Sequence, residues 1–117
     1  MSELSVARTS IIDALDAAGI RVATGGKLAA PCVLVEPGDP WTEPRRLPGR
    51  VSRWRLTIVA GTVDTTAAVD ELADLVDRVD VALRTISGAQ LPSWARPVEQ
   101  ELAGVRRGVT IGTIQLA

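Results

Sequence analysis

Histidine, tyrosine and phenylalanine are absent from this chain of 117 residues, and cysteine and methionine occur once each. Without histidine, Ser-His-Asp and Cys-His nucleophilic catalysis are excluded, as are metal sites built on imidazole. The single Cys32 allows neither an internal disulfide nor a thiolate cluster. It lies in the apolar run PCVLVEP and reads as a small buried hydrophobe. No apolar run approaches the ~20 residues that a membrane span needs. The first residues, MSELSVARTS, carry Glu3 and lack an apolar h-region, so no secretory signal is expected. A cytoplasm-like folding compartment follows. Lysine is nearly missing too: twelve of the thirteen basic residues are arginine, with Lys27 alone. Arginine suits geometrically defined ion pairs, because its guanidinium is a rigid fork of donors.

What remains is a globular composition, 46% hydrophobic with a formal net charge of −1. Near-neutrality gives no global attraction to nucleic acid or membrane. The length fits one domain, residues 1–117, able to bury roughly 65% of its unfolded surface. Ala, Val, Leu and Ile must fill the core, and three tryptophans supply the only aromatic rings.

Apolar spacing gives the elements. Leu4, Ala7, Ile11, Ala14, Leu15 and Ala18 recur at helical intervals, predicting a helix over 2–18 with Ser2 as cap and Gly19 after its end. A short strand at 20–23 and a proline-bounded strand at 32–37 follow. The stretch PGDPWTEP, residues 37–44, reads as the start of a stiff loop running to Gly49. VSRWRLTIVA, residues 51–60, alternates, with Trp54, Leu56, Ile58 and Ala60 on one face and Arg53, Arg55 and Thr57 on the other. Over 64–88, Val69, Leu72, Val76, Val79, Leu83 and Ile86 form a helical stripe capped by Asp64 or a following threonine and stopped by Gly88. AQLPSWARP reads as a second proline loop carrying Trp94, and PVEQELAGV with GVTIGTIQLA as a hairpin about Arg106-Arg107-Gly108. The predicted fold is α+β, with two helices on one face of a mostly antiparallel four- to five-stranded sheet in the order α-(β)-β-β-α-β-β.

Chemistry-bearing patterns are few. Gly25-Gly26-Lys27 ends like a phosphate loop, but Arg21 stands where its first glycine belongs and Leu28 where the magnesium hydroxyl belongs. Asp70, Asp74, Asp77 and Asp80 share the long helix without a ligand-bearing loop beside them, so a solvated or partner-facing acidic face is expected instead of a metal site. No catalytic residue and no cofactor is predicted. Arg45, Arg46, Arg50, Arg53 and Arg55 form the one basic cluster, with no acid from 45 to 55, whereas 64–80 holds six acids and one base. Trp54 points away from Arg53 and Arg55, which argues against a base-stacking platform. A polar charge pattern of this kind suits a head-to-tail contact between copies. Trp41 and Trp94, on proline-stiffened loops, read either as plugs over the end of the core or as interface anchors; with the five arginines and Asp70, Asp74 and Asp77 they make the candidate interface.

In its element order the chain resembles the tail terminator proteins of long-tailed phages, particularly those infecting actinobacteria. The likeness runs through nearly the whole sequence. It is carried by the P-x-x-P-W pattern at Pro37, Pro40 and Trp41, and by Val59, Gly61, Asp64, Ala67/Ala68 and Leu72 entering the second helix. The resemblance implies a structural virion protein forming a six-fold ring that caps the tail tube, stops its polymerisation and joins tail to head. Its implied partners are itself, the major tail tube protein, a head-completion neck protein, and genomic DNA passing without sequence specificity. No membrane is implied; the virion's neck is the expected location, after assembly in the host cytoplasm. A head-side adaptor or stopper, a small host nucleic-acid or protein-binding module, and an enzyme are the competing readings.

Overall fold

A computed structural model describes residues 2–23, 28–44 and 50–117, the Thr65 side chain excepted. The order is α1 (Glu3–Ala17), β1 (Cys32–Pro44), β2 (Arg50–Val59), α2 (Thr65–Leu83), β3 (Ala89–Gln90), β4 (Val98–Leu102) and β5 (Val105–Leu116). The sheet is antiparallel and ordered β1-β2-β5-β3, with β4 also paired to β5. Both helices cover one face, as the α+β prediction requires.

That face follows from alternation on β2. Trp54, Leu56, Ile58 and Ala60 are buried, and the side chains beside them on β1 and β5 include Val33 and Ile114. Ile11 and Leu15 of α1 and Leu72, Leu75 and Val79 of α2 close over them. Burying each of these side chains contributes on the order of 1.5–3 kcal/mol. Ser2 caps α1 by accepting from the Ser5 amide, and Asp64 caps α2 by accepting from the Ala67 amide. Gly19 follows α1 with φ of 74°.

Four expectations are corrected. First, β1 continues through the predicted loop to Pro44, with a register shift between Pro37 and Thr42. Its prolines are tolerated because β1 is an edge strand, where amides on one side need no strand partner. Second, residues 20–23 contribute one parallel bridge, Val22 to Val33, instead of a strand. Third, α2 stops at Leu83, and its buried residues are Ala68, Leu72, Leu75, Val79, Ala82 and Leu83; of the predicted stripe, Val69 alone is 49% exposed, while Val76 and Ile86 pack against the core. At the start of α2 it is Ala68 that faces the sheet, close to Gly108 of β5: a Cβ added to Gly108 would lie 3.1 Å from the Ala68 Cβ. Fourth, the final hairpin turns at Ala103-Gly104, with φ of 51° and 80°, while Arg106 and Arg107 are paired in the ladder with Glu101 and Gln100. Two positive φ values give a two-residue turn whose twist matches the strands.

Residues 91–97 lie against β5, held by the Ala95 amide donating to the Ile111 carbonyl and the Thr110 hydroxyl donating to the Ala95 carbonyl. Trp94 seals this segment, because Gly112 leaves room for it: an added Cβ would sit 2.8 Å from both Pro92 Cβ and Trp94 Cε3. Gly112→Ala is therefore expected to cost about 1–3 kcal/mol in chemical denaturation. A loss under about 0.5 kcal/mol would mean the segment yields freely.

Candidate assembly surfaces

The proline-rich stretch of β1 brings its tryptophan back onto the sheet. Gly38 permits the crossing, since a Cβ there would meet the Arg53 Cβ and carbonyl oxygen at 3.0 Å. After the register shift, Trp41 stands edge-to-face on Trp54, centroids 5.7 Å apart and planes at 87°. Such a pair adds about 0.5–1.5 kcal/mol beyond area burial. Trp54 is core, 3% exposed, and donates from Nε1 to the Ser52 hydroxyl at 3.2 Å. Trp41 remains 40% exposed, so the ring is half anchor to its own core and half open surface.

Trp94 is tied more firmly. It is half-buried against the core, and its Nε1 donates to Asp80 Oδ1 at 3.0 Å, linking 91–97 to α2. Asp80 is thereby occupied within the chain.

The sheet face away from the helices carries Arg53 and Arg55 of β2. Arg55 stands opposite Glu36, with Nη2 to Oε2 3.2 Å, and Arg53 meets Glu43 at 3.2 Å. Arg53 donates from Nη2 to Glu43 Oε2 at 3.4 Å, while its Nη1, 3.2 Å from Oε1, lacks hydrogen-bond geometry. Cross-strand pairs at this exposure contribute about 0.2–1 kcal/mol each. Their larger effect is on surface chemistry, because they pair two of the five arginines of the predicted basic cluster. Among the described residues, Arg50 donates to the Thr42 hydroxyl, at 3.4 Å. Arg45 and Arg46 lie outside the described residues, as do Gly25, Gly26 and Lys27.

Asp70, Asp74 and Asp77 are exposed on α2, and none forms an ion pair among the described residues. No described group of three His, Cys, Asp or Glu side chains is placed to hold a metal ion. Among the described residues no helix is long and apolar enough to cross a membrane. Trp54 lies on the face opposite Arg53 and Arg55, whereas Arg50 shares its face and stands beside the start of α1.

Two features escaped sequence reasoning. One is an arm: Val105–Arg107 of β5 have β4 as their only described strand neighbour, since β2 pairs with β5 only from Val109 onward. Val105 is 39% exposed there, and Val98, opposite Val109 where β2 joins the sheet, is 48% exposed. The Ala103-Gly104 turn was its available signal. The other is a groove of about 370 Å³ between the first turns of α1 and the β1 edge, walled by Leu4, Arg8, Pro37, Trp41 and Trp54. It depends on the register shift in β1, which no sequence pattern announced. With the geometry in place, comparison with known proteins adds no kinship: no family model matches the sequence, and no curated protein matches it.

Cys32 is buried, and that burial pushes its thiol pKa up, with Arg21 and Arg107 opposing the shift. The unfolded thiol ionises first as pH rises, so this group's stabilising contribution is present below the ordinary thiol pKa and lost above it. Thiol-reactive reagents should label native Cys32 about a hundredfold or more slower than the denatured chain; equal rates would contradict its burial. Trp41→Ala should lower stability by about 1–2 kcal/mol while preserving the fold, as read by urea denaturation.

Proposed function

We propose that this chain is a structural subunit, not an enzyme, that associates head-to-tail into a ring capping a phage tail tube. The observation that carries an assembly role is the projecting β4–β5 arm. A two-stranded ribbon is marginal in water, yet at Val105–Arg107 this one has β4 alone beside it among the described strands and leaves Val105 39% exposed, with Val98 48% exposed at the sheet edge nearby. Exposed apolar side chains on such an arm are suited to contact with another surface. The acidic outer side of α2, far in kind from the Arg-bearing β1–β2 end, supports a contact between unlike surfaces, which closes into rings or runs on as filaments.

The tail-terminator resemblance supplies the context that the geometry does not. On that reading the ring is six-fold, one side seats on the last layer of tube protein, the other receives the head-completion protein, and DNA passes through the centre without sequence recognition. Trp41 is an interface residue by virtue of its open half. Trp94 serves the same surface by holding residues 91–97 against α2.

An early stop codon in this gene, with the lysate viewed by electron microscopy, tests the proposal. Filled heads beside detached, overlong tails are expected. Tails of normal length beside emptied heads would move the protein to the head side of the neck, and intact infectious particles would overturn the assembly role.

A further inference from the structure

Arg53 and Arg55 are engaged by glutamates of their own chain, so the acids of α2 need another counter-charge. The groove beside α1 offers one. Its walls are apolar and aromatic at Leu4, Pro37, Trp41 and Trp54, and Arg8 lines it. A second hollow, shared through Ser2 and Leu4, extends it to Arg50, with Glu3 as the one carboxylate among the lining residues. Neither Arg8 nor Arg50 forms an ion pair among the described residues.

The outer side of α2 is the matching shape. Asp70, Asp74 and Asp77 recur at spacings of four and three, and Val81 follows four residues later, 62% exposed. Residues at these intervals line one side of a helix. The stripe therefore presents three unpaired carboxylates with an apolar residue at its end.

We infer that the groove of one copy of this chain receives the outer stripe of α2 from a second copy, with Arg8 and Arg50 facing Asp70, Asp74 and Asp77. This inference rests on the assembly role proposed above and specifies its contact. Charge selects the occupant. Two copies meeting through α2 alone would set aspartates against aspartates, and a nucleic acid drawn to the groove would be repelled by the stripe. Docking a helix side into an apolar groove with charged flanks is a common mode of recognition. Because groove and stripe are different surfaces, each copy that uses one leaves the other free, so the contact propagates around a ring.

The test uses the purified full-length chain, with self-association followed by analytical ultracentrifugation across concentration and salt. Association should weaken with salt. Arg8→Glu with Arg50→Glu, and separately Asp74→Lys with Asp77→Lys, should each weaken it by about tenfold or more. Mixing the two doubly substituted proteins should restore it, since each then meets a surface of opposite sign. A misfolded variant would not be rescued, so rescue separates lost contact from lost fold. Association unchanged by the substitutions, failure of rescue, or a wild-type chain that stays monomeric to millimolar concentration overturns the inference. Any of these leaves the tail-capping role to be judged by the stop-codon experiment, which reads particles and not this contact.

Discussion

The pleat of β2 divides the molecule's chemistry. Leu56 and Ile58 are fully buried between two helices, and successive residues of a strand must leave opposite faces. Arg53 and Arg55 are therefore forced onto the open face, where β1 delivers Glu43 and Glu36. Slipping the strand by one residue would bury two guanidinium groups under the helices and expose the core, a change far more costly than any gain in pairing. The β1 register follows from the same constraint, since Glu36 can face Arg55 only while Val33 and Val35 stay on the helical side.

A second constraint joins this strand to α2. The Glu71 carboxylate accepts from the amides of Gly61 and Thr62, and Arg107 donates to the Gly61 carbonyl at 2.8 Å. One glycine peptide is thus gripped from both ends by opposite charges drawn from the helix and from β5. A Cβ at Gly61 would lie 2.9 Å from the Pro31 ring, so the junction is packed as well as bonded. The grip sets where α2 begins and ties the base of the β4–β5 arm to the sheet. Charge-assisted hydrogen bonds of this kind are about twice as strong as neutral ones.

Legibility in the sequence tracked how local each cause was. The period-two alternation of 51–60 and the helical spacing near Ile11 report directly on buried faces, and both elements stand where their patterns placed them. The α2 stripe was read one position off at Val69, where it is Ala68 that faces Gly108, distant in sequence. PGDPWTEP read as loop because proline count speaks of lost donors and not of which strand edge needs none. The hairpin turn was missed at Ala103, a residue with no special preference for positive φ. Of the candidate interface, Trp41 and the α2 aspartates were legible as types. The self-pairing of Arg53 and Arg55, and the groove at Arg8, emerge only when β1 and β2 are in register.

That division has a bearing on how such a chain can stay dispersed until it is wanted. Where its charges are opposed across neighbouring strands they are already paired, and another copy gains little by meeting them. Among the described residues, Asp70, Asp74 and Asp77 lie on the outer side of α2, with Arg78 on the same helix, and Arg8 and Arg50 lie beside the groove. Exposed carboxylates in water cost little, and a rim ion pair contributes at most about 1 kcal/mol. One such contact alone holds two copies weakly. When a template holds several copies side by side, each contact becomes effectively intramolecular and the weak terms act together. On the tail-capping role proposed above, surfaces of modest strength and defined register suit a ring built on an existing tube, whereas a large apolar interface would drive association without one.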